Sequence, residues 1–179
     1  MRLALLLVLI PSWAAADEAD LRMEAKSLVQ TFAGELKPAL LSAIEEGGPV
    51  NAIEVCATRA PAIARSLSEE SGWQVRRVSL KPRNADTATT DDWATPILRE
   101  FNERLADGEP ASQLVHAEVV EGEFRFLKAQ PVEPLCLICH GQSIDPAVKA
   151  KIAELYPDDS ATGYSLGEIR GAFYLTRSL

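Results

Sequence analysis

Two cysteines, Cys136 and Cys139, are separated by two residues, and His140 follows the second one directly. This spacing is the attachment motif of c-type haem. Thiols at this spacing reach the two vinyl groups on one edge of a porphyrin, and the adjacent histidine reaches the iron. The sequence therefore predicts one haem c, with thioether bonds to Cys136 and Cys139 and with His140 as the proximal iron ligand.

Three other chemistries use the same residue types. A Cys-x-x-Cys pair can be a redox dithiol, but that motif usually follows a strand in a βαβ unit, which the pattern here lacks. Cys56, Cys136, Cys139 and His140 form a Cys₃His set for structural zinc, although adjacent Cys139 and His140 rarely reach one tetrahedral ion. A disulfide fits poorly because the chain has three cysteines. Haem attachment is the interpretation that we favour.

The N-terminus has the features of a secretory signal peptide. Arg2 precedes the apolar run 3–10, and Ala14-Ala15-Ala16 follows. The run is shorter than the roughly 20 apolar residues that cross a bilayer as a helix, and the small residues suit a signal peptidase. We expect cleavage after Ala16, a periplasmic or secreted protein, and one domain over residues 17–179. An uncleaved anchor is the alternative.

Charge narrows the choice of partner. The formal net charge is −8 at pH 7, which argues against nucleic acid and against anionic membrane surfaces. No later segment is apolar enough to be embedded in a membrane. No Ser/His/Asp or paired-carboxylate pattern indicates an enzyme. We therefore expect a non-enzymatic protein that works with an unidentified redox partner protein.

Apolar periodicity predicts an α+β domain. Helical spacing covers residues 20–44, 49–68, 93–105 and 147–156, and strand patterns cover residues 73–80, 113–120, 123–128 and 172–175. Gly47-Gly48 separates the first two helices, while Pro38 and Pro61 are expected to bend them. Glu121-Gly122 predicts a hairpin. We expect an antiparallel sheet of four or five strands with the helices on one side.

Few side chains can serve as the second axial ligand of the haem iron. His116 is the other histidine, Met23 is the one methionine after the predicted cleavage site, and Cys56 is the third cysteine. Helical spacing places Cys56 on the apolar face of its helix, together with Ile53, Ala60, Ile63 and Leu67. We favour a Cys56 thiolate, with His116, Met23 or an open site as the alternatives.

Several stretches of the chain occur together in an order that resembles one known family. They are Ala52 to Cys56 with Ala60 to Ala64, Val75 to Asn84, Cys136 to Gly141, Tyr156 to Asp158 with Ala161 to Tyr164, and Gly167 to Ala172. The chain resembles the PAS-like monohaem c-type cytochrome domains, some of which are free-standing and some attached to sensor proteins. The resemblance covers nearly all of residues 17–179.

The resemblance implies a PAS-like fold, in which an antiparallel sheet of about five strands is flanked by helices and a pocket holds the haem. It also implies that His140 and Cys56 are the axial pair, and that Arg77 and Arg83 contact the haem propionates. Because a thiolate ligand stabilises ferric iron, we expect a low reduction potential. These features favour electron transfer or redox sensing, and a redox or gas sensor that signals through a partner is the alternative.

Overall fold

The computed structural model describes residues 12–179. The predicted signal peptide covers residues 1–16, so all but its last five residues lie outside this range. Cleavage after Ala16 therefore stays a prediction.

The longest element is helix α1 (Ser12–Ser71), which Gly48 divides into two arms. Gly48 has φ 75° and ψ −176°, a conformation that glycine adopts without a steric cost. Pro49 follows as the first residue of the second arm, where a backbone N–H has no helical partner to lose. The predicted separation at Gly47-Gly48 is confirmed. Pro38 lies inside the first arm and does not end it.

Four strands form one antiparallel sheet in the order β1-β4-β3-β2. They are β1 (Gln74–Val78), β2 (Val115–Val120), β3 (Glu123–Pro131) and β4 (Ile169–Ser178). Strands β3 and β4 are longer than their apolar patterns predict. Glu121 and Gly122 join β2 to β3 with φ of 52° and 80°, as a two-residue turn that matches the strand twist requires. The predicted hairpin is confirmed.

The remaining helices are shorter. They are α2 (Ala94–Ala106), α3 (Leu137–His140) and α4 (Pro146–Leu155), with 3₁₀ turns at Ala111–Gln113 and Pro134–Cys136. Helix α4 begins as its sequence predicts, because Asp145 Oδ1 accepts the Ala147 N–H at 2.8 Å and Pro146 occupies the first helical position.

Helices cover both faces of the sheet, so the predicted placement on one side is wrong. Helix α1 packs on the face that carries Phe124, Phe126, Phe173 and Leu175, whereas α2 packs on the face that carries Leu127, Ala172 and Tyr174. Strand β4 places buried apolar side chains at successive positions, and successive side chains point to opposite faces. Both faces must therefore be shielded from water.

Within residues 12–179, none of the helices combines the length and the apolar composition needed to cross a bilayer.

Candidate functional site

A cavity of about 710 Å³ lies between the α1 face of the sheet, the two arms of α1 and the segment around His140. Its volume falls in the range of roughly 300–1,000 Å³ that is common for cofactor pockets. Apolar side chains supply much of its wall, among them Phe32, Leu36, Leu40, Ile53, Ala60, Ala64, Val75, Ile138 and Phe173. Such a wall suits a large, flat, apolar group.

The Cys-x-x-Cys-His segment forms one edge of this cavity. The 3₁₀ turn that ends at Cys136 passes directly into α3, so Cys136 and Cys139 share one side of a helical turn. Both thiols are half-buried, line the cavity and are free. Gly141 ends α3 by donating to the Leu137 carbonyl at 3.0 Å. A Cβ on Gly141 would lie 2.6 Å from that oxygen, so the turn requires glycine.

The ring of His140 is held in one tautomer. Nδ1 lies 2.6 Å from the Ala161 carbonyl oxygen, and because a carbonyl only accepts, the hydrogen is on Nδ1. Nε2 keeps its lone pair, and no group in residues 12–179 hydrogen-bonds it. Burial, with help from Arg170 and Arg83, lowers the pKa of His140 to about 2. A neutral imidazole whose second nitrogen donates to a carbonyl is the usual arrangement of a metal-binding histidine.

Cys56 lies on the second arm of α1 and lines the same cavity. Burial raises the pKa of its thiol, while the guanidinium groups of Arg77, Arg170 and Arg83 oppose part of that rise. The helical spacing therefore predicted the orientation of Cys56 correctly. All four residues of the predicted set, from positions 56 and 136–140, therefore line one cavity.

The structure offers little support for the other interpretations of the cysteines. Within residues 12–179, no three His, Cys, Asp or Glu side chains are grouped closely enough to share a metal ion, so the Cys₃His zinc set is not assembled. A reactive dithiol needs a lowered thiol pKa, but burial raises the pKa of Cys139. In the described part of the chain, the four strands β1 to β4 pair with one another only in antiparallel fashion, so the motif does not follow a strand of a parallel βαβ unit.

Five arginines line the cavity, namely Arg65, Arg76, Arg77, Arg83 and Arg170, and the sequence predicted Arg77 and Arg83 as site residues. Arg83 has protein partners already: Nε lies 3.0 Å from Asp159 Oδ1, and Nη2 donates to the carbonyls of Ala161 and Cys139. The Arg77 guanidinium lies 5.2 Å from the centre of the Phe32 ring. Burial and the nearby charge of Arg170 lower the pKa of Arg77 to about 10.

Arg170 is the cavity residue that the sequence analysis missed. It lies near the start of β4, within the Gly167 to Ala172 stretch that carries part of the family resemblance. In the described part of the chain, no carboxylate lies within 4 Å of the guanidinium group of Arg77 or Arg170. Among the described residues, Arg77 and Arg170 are thus two cavity cations close to Cys56 that have no anionic partner.

The alternative axial ligands lie elsewhere. His116 is on β2, where its ring centre is 5.8 Å from that of Trp93 and Nε2 is 3.3 Å from Glu118 Oε1. Met23 is 62% exposed on the first arm of α1. Neither residue lines the cavity.

Comparison with known proteins agrees with this geometry. The Tll0287-like family model matches residues 13–178. The chain belongs to the Tll0287-like family. A solved structure with the same fold is that of the cyanobacterial haem-protein Tll0287, which is 25% identical, has a TM-score of 0.66, and aligns over 91% of this chain and 95% of its own. No curated protein matches the chain in sequence.

These matches confirm the PAS-like α+β fold and the family that the sequence motifs indicated. The sheet has four strands among residues 12–179, close to the predicted number of about five. Members of the Tll0287-like family are therefore the relevant reference for the cavity.

Proposed function

We propose that this protein is a monohaem c-type cytochrome, exported to the periplasm, that acts in low-potential electron transfer or in redox sensing. The observation that carries the proposal is the edge of the 710 Å³ cavity, where Cys136, Cys139 and a neutral His140 lie together and Cys56 lines the same space. The solved structure of the haem-protein Tll0287 supports it. In this proposal Cys136 and Cys139 form the thioethers, and His140 and Cys56 are the axial ligands.

The positive charges in the cavity fit haem, in addition to the sulfur and nitrogen atoms that could bind it. A buried charge without a partner is costly, and the guanidinium groups of Arg77 and Arg170 have no carboxylate partner within 4 Å in residues 12–179. Haem carries two propionates. We therefore assign Arg77 and Arg170 to these carboxylates, while the apolar walls contact the porphyrin.

The axial residues would set the potential. Bound haem supplies one-electron chemistry, and its axial ligands are the strongest control on its potential. Cys56 supplies an anionic sulfur that stabilises ferric iron, and His140 supplies a neutral nitrogen. The three nearby guanidinium groups favour the thiolate form of Cys56, because they lower the pKa of the thiol against the effect of burial.

The cavity also reaches the surface, as exchange with a partner protein requires. Lys37 and Glu133 line it, their charged groups lie 2.7 Å apart, and their side chains are 53% and 46% exposed. A group held in the cavity would therefore be reachable from the surface. A sensor would use the same access through a change of axial ligand.

The first test uses holo-protein matured with haem in a cell that exports it. We expect covalent haem and a low-spin ferric thiolate spectrum by visible absorption and electron paramagnetic resonance. Cys56→Ala should abolish the thiolate features, whereas the matched controls His116→Ala and Met23→Ala should keep them. Unchanged spectra in Cys56→Ala would remove Cys56 from the iron, and a protein without covalent haem would refute the cytochrome.

Two further measurements address the physiological role. Reversible voltammetry with fast self-exchange is expected of a carrier, whereas slow ligand exchange with carbon monoxide binding after reduction is expected of a sensor.

The mass of the exported protein should correspond to an N-terminus at Asp17. A retained N-terminus would favour the uncleaved anchor instead.

A further inference from the structure

Arg83 belongs to a closed set of contacts around the proximal histidine. Asp159 Oδ1 accepts the Ala161 N–H at 2.9 Å and lies 3.0 Å from Arg83 Nε. Arg83 Nη2 donates to the Ala161 carbonyl at 3.1 Å and also to the Cys139 carbonyl. The same Ala161 oxygen accepts the Nδ1–H of His140 at 2.6 Å. One carbonyl is thus shared by an imidazole and a guanidinium group.

These contacts tie together three segments that are far apart in sequence. The side chains of Arg83 and Asp159 are only 12% and 10% exposed, and Ala161 is fully buried. Backbone bonds reinforce the contacts, because Tyr164 N–H donates to the His140 carbonyl at 3.0 Å and Ser160 N–H donates to the Pro82 carbonyl at 3.0 Å. Arg83 is the side chain that bridges the three segments.

The close approach between Arg83 and the ring has an electrostatic consequence. Nη2 lies 2.9 Å from His140 Nδ1, but both atoms carry hydrogen, so this contact is not a hydrogen bond. The positive charge beside the ring draws electron density away from Nε2. Arg83 also competes for the Ala161 oxygen, and hydrogen bonds to a charged donor are the stronger ones. Both effects weaken the electron donation of His140.

We propose that Arg83, held by Asp159, is a positioning residue that sets the orientation and donor strength of His140. This inference rests on the proposed function, in which His140 binds the haem iron. It gives Arg83 a different role from the propionate contact that the family resemblance implies. Arg77 and Arg170 differ from Arg83 because neither has a carboxylate partner among residues 12–179, and they remain the residues assigned to the propionates.

The test compares Arg83→Gln with Arg170→Gln, which removes the same charge from the cavity but leaves the contacts around His140 intact. Arg99→Gln on the exposed surface of α2 is the neutral control. The readouts are the reduction potential, the ferric electron paramagnetic resonance spectrum, and the solvent exchange of the iron-bound histidine's ring N–H in proton NMR. The chain has two histidines, which makes that proton simple to assign.

We expect both cavity variants to lower the potential, because each removes a positive charge near the iron. Only Arg83→Gln should split the ferric signal into two low-spin species and accelerate exchange of the ring N–H at least tenfold. Arg83→Lys should have a reduction potential close to that of the wild type, because it keeps the positive charge. It should still show more than one ferric species, because an ammonium group cannot span the same three acceptors. Arg99→Gln should change none of the three readouts.

Identical spectra and exchange rates for Arg83→Gln and Arg170→Gln would overturn the proposal, as would full restoration by Arg83→Lys, because charge alone would then explain the effect. Should Arg83→Gln yield no holo-protein, Asp159→Asn is the second variant. Asp159→Asn keeps the Arg83 charge but removes the carboxylate that holds it, and we expect it to accelerate ring N–H exchange as well. An unchanged exchange rate in this variant would overturn the proposal. Wild-type protein without covalent haem would refute the proposed function itself, which is a separate outcome.

Discussion

The two faces of the sheet are built from the same strands but differ in packing: the α2 face is filled, whereas the α1 face borders the cavity. On the α2 face, the space is filled: Phe101, Leu98 and Leu114 are almost completely buried, and the Trp93 ring stacks on Tyr174 with centres 5.1 Å apart. On the α1 face, Phe32 and Phe173 meet edge to face at 5.3 Å, and the packing then opens into the cavity.

Side-chain size accounts for much of this difference. The cavity wall includes the small residues Ala60, Ala64 and Gly171, whereas the other face places aromatic rings at comparable depth. Protein interiors pack densely wherever side chains can interdigitate. The α1 face therefore forms the site, where small residues leave the cavity open. The densely packed α2 face supports the sheet on which that site is built.

The largest expected effect separates these two roles. Phe101→Ala should lower the free energy of unfolding of holo-protein by about 3–5 kcal/mol, because it leaves a void in the filled face. Its visible spectrum should not change. Phe173→Ala should lower the free energy of unfolding by less than Phe101→Ala does, because one side of that ring already borders the cavity. Phe173→Ala should, however, alter the visible spectrum. Denaturant titration with absorption detection measures both, and a spectral change in Phe101→Ala would contradict the division.

The next effect tests the sheet beneath the cavity. Gly171 pairs with Gln130 of β3 and lies so close to the end of β1 that an added Cβ would collide with the Val78 carbonyl oxygen and lie 3.1 Å from Ser79 Cβ. Gly171→Ala should therefore destabilise the protein by about 1–3 kcal/mol.

Gly34 is the matched control, since it lies in the first arm of α1 with nothing within 4 Å of an added Cβ. Gly34→Ala should stabilise the protein by about 0.5–1 kcal/mol, because alanine loses less conformational entropy in a helix. Thermal unfolding of the pair should give shifts of opposite sign. Shifts of the same sign would show that Gly171 has room for a methyl group.

A smaller effect depends on pH and belongs to the filled face. Burial would raise the pKa of Asp91, but the Ala94 N–H, the Tyr174 hydroxyl and Arg76 together lower it below its usual value. A carboxyl group with a lowered folded-state pKa stabilises the fold above its unfolded pKa of about 3.9, and this contribution is lost as pH falls through the folded-state value.

Asp91→Asn should therefore cost about 0.5–1 kcal/mol at pH 7, a figure kept small because the Asp91 side chain is 40% exposed. The difference from wild type should shrink as pH falls below 4. Urea titrations at pH 7 and pH 3 measure it, and an equal difference at both values would show that the charge is not the cause.

The smallest effect lies at the end of α2, away from both faces. Glu109 accepts from Arg104 at 2.7 Å and 2.9 Å, and this hydrogen bond lowers the pKa of Glu109. Exposed ion pairs contribute little to stability. Glu109→Gln should leave both the melting temperature and the spectrum unchanged, and a clear loss of stability would show that this pair anchors α2.

Local chemistry allowed much of the fold to be predicted. Gly48 and the pair Glu121-Gly122 have backbone conformations that few other residues adopt, so the division of α1 and the hairpin were evident from the chain. The inward orientation of Cys56 followed from helical spacing. The placement of α2 on the opposite face could not be predicted from the sequence. A strand pattern reveals that Phe173 and Tyr174 are apolar, but it does not reveal which helix covers each of them.

The sequence by itself determined the Cys-x-x-Cys-His motif: Cys136, Cys139 and His140 lie within five residues of the chain, so their spacing is a covalent property that needs no fold. Only the tertiary structure decided what surrounds them. Arg83, Asp159 and Ala161 meet His140 because loops far apart in sequence pack together, and Arg170 reaches the cavity because β4 pairs with β1. Contacts between distant residues depend on the packing of the whole domain, and no local pattern encodes them.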